Sequence, residues 1–183
     1  MDPGGETNSS KIRKNILHGI SPSFKGRDLG APDRPGPRRM KCLYVETSAV
    51  LSWLLGEQAA PRVIHCINDT EILCTSVLTR LEVERSLLRA ENSGIIKAAE
   101  RQKVRGLFQA VSASWSFLPI TADVLARASG AFPVEPVRSL DAIHLASALE
   151  LVMLYPDIAV LSFDRRIIGN LEGLGLAAYQ LHP

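Results

Sequence analysis

The sequence has only three cysteines, Cys42, Cys66 and Cys74, and no CxxC pair. An odd number without that spacing excludes a disulfide framework and a structural zinc site. Cys42 and Cys74 sit in apolar runs, which predicts buried free thiols in a reducing, cytoplasmic compartment. Aromatic residues are scarce, at 5% of the chain, so no base-stacking surface of the single-strand-binding kind is evident. Trp53 and Trp115 are read as core. Net charge is nearly absent as well: 21 basic against 19 acidic residues leave +2, which excludes a histone-like polybasic chain. No apolar run approaches the roughly 18–20 residues that span a bilayer, so no membrane partner is expected. The first residues also lack the apolar core of a secretory signal.

What is present is a core-forming majority. Hydrophobic residues make up 46% of the 183, enough for one well-filled domain and short of two. They are unevenly placed. Residues 1–39 carry 8 Lys/Arg against 4 Asp/Glu and hold 6 of the 13 Gly and 5 of the 11 Pro. Residues 40–183 carry 13 against 15, a net of −2. The expectation is a folded domain over 40–183. Residues 1–39 are read as a disordered extension, or as sequence upstream of a start at Met40.

Along the body, strand-like and helix-like patterns alternate. Strands are expected at 41–45, 71–75, 115–120, 158–162 and 176–179. Helices are expected from Thr47 to Gly56, then at 59–68, 77–91, 94–112, 121–131, 139–154 and 165–171. Thr47 or Ser48 is expected to cap the first helix and Ser139 the helix to 154. Leu78, Leu81, Leu87 and Leu88 are read as the buried face of 77–91. The order β-α-α-β-α-α-β-α-α-β-α-β predicts an α/β fold, with a central parallel sheet of about five strands and helices on both faces. In such a fold the functional edge lies at the carboxyl ends of the strands.

Four acids fall near that edge. Glu46 and Asp164 follow strand ends, while Glu82 and Asp141 lie in the first turns of helices. Singly, each has an ordinary structural explanation: Asp141 as a carboxylate favoured by the helix dipole, Asp164 as a cap, Glu82 as a solvated helix residue. Together they ask for a positive partner, because several clustered carboxylates cannot all stay ionised without one. The apolar run Leu140, Ala142, Ile143, Leu145 and Ala146 around Asp141 sharpens this, since a carboxylate among buried groups must be paired, protonated or cation-bound. Oxygen ligands favour Mg2+ or Mn2+ over Zn2+, and such an ion can activate water and neutralise charge on a phosphodiester.

The segments Leu43-Tyr44-Val45-Glu46-Thr47-Ser48-Ala49-Val50, Leu81-Glu82-Val83-Glu84-Arg85, Arg138-Ser139-Leu140-Asp141-Ala142-Ile143-His144-Leu145-Ala146 and Ser162-Phe163-Asp164-Arg165-Arg166 resemble PIN domains. They look most like the VapC-type toxins of bacterial toxin–antitoxin modules. The resemblance covers nearly all of 41–180 and none of 1–39. It implies a Mg2+-dependent endoribonuclease, with Mn2+ as the substitute ion. The family acids carry over to Glu46, Glu82, Asp141 and Asp164 as catalytic and metal-holding residues, and the supporting hydroxyls to Thr47 and Ser162. Glu84 lies about 200° from Glu82 around the helix and is set aside. The resemblance also implies a homodimer, an RNA substrate, and a cognate antitoxin whose tail covers the site.

One position departs from the family pattern: Glu46 stands where an Asp is usual. Its extra methylene displaces the carboxylate by roughly one C–C bond, so the side chain must fold back or the ion must shift. That departure supports a second reading, a degenerate PIN domain that binds RNA or protein without cutting. A third is a PIN nuclease of RNA processing outside any toxin pair. His144 is read as a partly buried histidine bonded to a neighbour. Arg85, Arg89, Arg165 and Arg166 are the candidates for RNA or partner contact. Lys97, Arg101, Lys103 and Arg105 form a second, solvated basic face.

Overall fold

The computed structural model describes residues 41–181. The extension 1–39 and its boundary at Met40 lie outside the described residues. Five parallel strands form one sheet: β1 (Cys42–Val45), β2 (Ile72–Ser76), β3 (Ser116–Leu118), β4 (Ala159–Leu161) and β5 (Ala177–Ala178). Their order across the sheet is β3-β2-β1-β4-β5. The helices are α1 (Thr47–Leu54), α2 (Ala60–Asp69), α3 (Leu78–Asn92), α4 (Ala98–Val111), α5 (Ala122–Ala128), α6 (Ser139–Val152) and α7 (Arg165–Leu171). The element order agrees with the expected alternation, and each strand is followed by a crossover that returns it parallel.

Strand β1 explains the two layers. Its side chains alternate: Leu43 and Val45 enter one core with α1, α2, α3 and α4, whereas Cys42 and Tyr44 enter another with α6 and α7. All four are essentially buried, as the central strand of a covered parallel sheet requires. Trp53 and Trp115 fall in the first core and Cys42 and Cys74 are buried and free, as expected; Cys66 is buried and free as well. Among the described residues no helix is long and apolar enough to cross a membrane.

Several local expectations need correction. Glu46, not Thr47 or Ser48, caps α1: its carboxylate accepts from the Ser48 N–H at 3.0 Å. Arg138 occupies the cap position of α6 without a side-chain bond, and Ser139 is the first helical residue. The buried stripe of α3 runs through Thr79, Val83, Leu87 and Ala90, at 3–4 spacing, so Leu81 points outward and is 59% exposed. Leu140, counted with the buried run around Asp141, is also exposed. Helices α4, α5 and α6 are shorter than expected, at 98–111, 122–128 and 139–152. The lost ends are capping turns, whose residues have no helical period to betray them.

The end expected for the first helix at Gly56 is where the chain adopts φ 69°. A side chain is disfavoured there, so Gly56→Ala is expected to cost about 1 kcal/mol. Urea unfolding monitored by circular dichroism checks it.

The strand order places a topological switch between β1 and β4. From β1 the chain moves to β2 and β3 on one side, then crosses to β4 and β5 on the other. Ligand sites of open α/β sheets lie outside the carboxyl ends of strands at such a point. Here Val45 pairs with Leu161, so the residues that follow, Glu46 and Ser162, emerge side by side.

Candidate functional site

Glu46 leaves β1 with its N–H bonded to the Leu161 carbonyl at 2.9 Å. The residue is 5% exposed. Its side chain folds back, one of the two outcomes anticipated for the longer residue. One oxygen, Oε2, accepts from the Ser48 N–H (3.0 Å), from the Ser48 hydroxyl and from the Ser162 hydroxyl (2.8 Å). Those hydroxyls extend the clamp: Ser48 Oγ accepts from the Phe163 N–H at 2.8 Å and Ser162 Oγ from the Asp164 N–H at 3.0 Å. Glu46 therefore ties α1 to the turn between β4 and α7. Its other oxygen, Oε1, lies 4.0 Å from His144 Nε2.

Glu82 arrives from the opposite direction, on the first turns of α3. Its Oε2 accepts from the Thr47 hydroxyl at 2.5 Å and from His144 Nε2 at 2.8 Å. Burial alone would raise its carboxyl; the hydrogen bonds from His144 and Thr47, with the charge His144 carries when protonated, outweigh burial and hold it below the usual range. Thr47 is placed by a ladder of buried hydroxyls. Thr75 donates to the Val45 carbonyl at 2.7 Å, Thr79 lies 2.7 Å from Thr75, and Thr47 lies 3.1 Å from Thr79. Glu82 comes from the helical layer on one face of the sheet and His144 from the layer on the other. Their bond closes over the carboxyl edge.

Asp141 and Asp164 form a second group. Asp164 caps α7, accepting from the Arg166 N–H at 2.7 Å. Asp141 lies in the first turn of α6, and its Oδ2 is buried with no hydrogen-bond partner among the described residues. Burial pushes the Asp141 carboxyl up, and the Asp164 charge pushes it further. The Arg138 N–H and the Arg138 and Arg166 charges oppose this without cancelling it. Asn170 of α7, which is fully buried, ties that helix to the loop that precedes α6. It accepts from the Val134 N–H at 2.8 Å and donates to the Val134 carbonyl at 2.9 Å.

The structure thus draws the four predicted acids to one edge as two pairs. Glu46, Glu82 and His144 place one ligand atom each within 4.8 Å of one another. Thr47 and Ser162 each bond a carboxylate. Arg165 and Arg166 open α7 beside Asp164, and Arg166 acts on Asp141. Arg85 and Arg89 are exposed on α3, with no ion pair to a described acid. Of the second basic face, Arg101 pairs with Glu91, and Arg105 with Glu84 at 2.8 Å. Half of that face is therefore engaged with α3 rather than solvated.

Sequence reasoning left His144, Tyr44, Thr79, Ser48 and Arg138 out of the site. His144 gave the best signal: a polar residue three positions after Asp141, on a helix whose inward residues are mostly apolar, must find partners.

A family model for the PIN domain matches residues 43–170. Ribonuclease VapC35 from Mycobacterium tuberculosis, in strains CDC 1551 / Oshkosh and ATCC 25618 / H37Rv, is 30% identical over 137 residues, covering 74% of this chain and 93% of the relative. The matched span opens in β1 and ends in α7, so it contains all four acids and the sheet edge that gathers them. On that match and that fold, the chain belongs to the PIN domain family.

Proposed function

We propose that this protein is a divalent-metal-dependent endoribonuclease and the toxin component of a toxin–antitoxin module. The observation that carries the reading is the gathering of Glu46, Glu82, Asp141 and Asp164 at the switch between β1 and β4. Similarity to a ribonuclease along most of the chain supports it.

The residues suit a hard cation. Asp141 Oδ2 is a buried carboxylate oxygen without a partner. Glu46 and Glu82 bring carboxylates within ligand distance of each other. Such donors favour Mg2+ or Mn2+. Glu46, Glu82, Asp141 and Asp164 would hold the ion. When bound, it supplies Lewis-acid polarisation and charge neutralisation for phosphodiester hydrolysis.

The chain's own groups do the rest. Glu46 and Glu82 each have one oxygen occupied by protein donors and the other left for the ion. Arg138, Arg165 and Arg166 border the Asp141–Asp164 pair and can meet the phosphate flanks of an RNA strand, which carboxylates alone would repel. Arg85 and Arg89, further along α3, remain candidates for RNA or for acidic groups of an antitoxin. A homodimer and an antitoxin tail over the site complete the proposal. The folded domain is taken as 40–183, with 1–39 outside it.

One observation favours a second reading, binding without cleavage: Glu46 Oε2 is saturated by Ser48 and Ser162, which leaves that carboxylate a single oxygen. Cleavage of cellular RNA in vitro separates the two. The expected result is cutting in Mg2+ or Mn2+ that EDTA abolishes and added Mn2+ restores. RNA retained on the protein but uncut in either ion, by both the wild type and Glu46→Asp, would establish the binding reading instead. Sequencing of RNA ends after induced expression, with Glu46→Ala as control, then names the substrate.

A further inference from the structure

His144 is 2% exposed and stands where the two helical layers meet over the sheet. Its Nδ1 lies 2.8 Å from the Tyr44 hydroxyl, and the two rings meet edge to face. Its Nε2 lies 2.8 Å from Glu82 Oε2 and 3.1 Å from Thr47 Oγ1. Tyr44 is fully buried on β1. A phenol keeps its proton near neutral pH. A buried O–H needs an acceptor, and His144 Nδ1 is at the right distance. The neutral ring then carries its one N–H on Nε2, directed at Glu82. The other neutral tautomer would donate from Nδ1 to the Tyr44 oxygen and turn the phenol hydrogen away from the ring. It would also leave an imidazole lone pair facing the Glu82 carboxylate at 2.8 Å. Only the first satisfies every group without a buried charge on the ring.

The consequence falls on Glu82. A glutamate on a helix surface samples several rotamers, and ordering it costs free energy each time it binds. Here Thr47 and His144 both grip Oε2. No hydrogen bond to Oε1 is found among the described residues, so Oε1 is the oxygen left to offer.

We propose that Tyr44 and His144 form a positioning relay for Glu82: Tyr44 sets the imidazole tautomer, and His144 Nε2–H holds Glu82 Oε2 so that Oε1 faces a divalent cation. The relay rests on the metal-site reading above. His144 is a positioning residue in it rather than a ligand or a base. Among the described residues Tyr44 makes no hydrogen bond to either carboxylate, and it acts on Glu82 through the ring.

Two measurements on the full chain test it. Nitrogen NMR of histidine-labelled protein near neutral pH, with the His144 signals assigned by their loss in His144→Gln, reads the tautomer without any metal. The expected spectrum has a protonated Nε2 and a bare Nδ1; a protonated Nδ1 with a bare Nε2 overturns the relay. Calorimetric titration with Mn2+ reads the consequence. His144→Gln can place an amide N–H near the Nε2 position and is expected to stay within about threefold of wild-type affinity. His144→Leu is expected to weaken binding about tenfold or more, and Tyr44→Phe by about three- to tenfold with a changed tautomer population. Wild-type affinity in Tyr44→Phe and in folded His144→Leu overturns the proposal. If His144→Leu does not fold, Tyr44→Phe and the spectrum decide it. If the wild type binds no Mn2+, the metal-site reading falls, and the tautomer alone then decides the relay.

Discussion

Replacing Asp141 by Asn is expected to lower RNA cleavage by roughly 10²–10³-fold while leaving the domain at least as stable. The two effects have one cause. Asp141 Oδ2 is buried and unpartnered, and its carboxyl is pushed up by burial and by the Asp164 charge. An ionised Asp141 is therefore a liability to the metal-free fold and an asset to a bound cation. Asparagine keeps the size of the side chain, removes the repulsion, and removes the anionic ligand. Its stability should also have a different pH profile. A carboxyl whose folded pKa lies above its unfolded value binds more protons in the native state, so the metal-free wild type loses stability as pH rises from the ordinary carboxylate value through the raised one. Asp141→Asn should lack that segment of the curve, and saturating Mn2+ should reverse it in the wild type only. Thermal melts from pH 3 to 7, with and without Mn2+, together with an RNA cleavage assay, check each part. A destabilised Asp141→Asn protein with normal cleavage would show that Asp141 is merely a helix-terminal carboxylate.

Glu46→Ala is expected to impair stability and cleavage together. Alanine removes the α1 cap, worth about 1 kcal/mol. It also strips the acceptor from the Ser48 and Ser162 hydroxyls, and Ser162 is buried. Leaving such a group unsatisfied costs about 1–3 kcal/mol. The sum, about 2–4 kcal/mol, corresponds to a melting temperature lower by about 6–12 °C for a domain of this size. Glu46→Asp should separate the clamp from the ligand. Aspartate is as good a cap, so the bond to Ser48 N–H survives, and the loss in stability is confined to the acceptor of the Ser162 hydroxyl, about 1–3 kcal/mol. Its shorter carboxylate no longer folds back over Ser162, and Mn2+ affinity should rise. Melting curves and calorimetry on both variants test this; equal Mn2+ affinity in Glu46→Asp and wild type would show that the extra methylene is without consequence for the ion.

The contrast between Glu46 and His144 shows where sequence reasoning stops. Glu46 was legible because it ends a short β-branched and aromatic run, and the residues after it have helical spacing; position in the order of elements is enough to send it to the carboxyl edge. That it had to fold back or displace an ion also followed from its length. Which of these happens depends on Ser162, which lies 116 positions away and becomes a neighbour only through the pairing of β1 with β4. His144 was visible as a polar residue on an apolar helix face, yet its partners are 62, 97 and 100 positions away. No periodicity carries that information. Leu81 failed for a different reason: on a helix with leucines at several phases, the direction of the buried stripe is set by what the sheet presents to it.

By itself, then, the sequence determined the alternation of strands and helices and the delivery of four acids to one end of a parallel sheet. These follow from local spacing and from the rule that parallel strands expose their carboxyl ends to the loops that follow. Tertiary structure alone decided that the acids meet as two pairs. It decided that Glu46 and Glu82 each commit one oxygen to the protein, and that a histidine from the far helical layer holds one of them. The physical reason is that hydrogen bonds are short and directional. Whether a carboxylate is clamped, repelled or left open is settled within a few ångströms by side chains that the chain brings together only on folding.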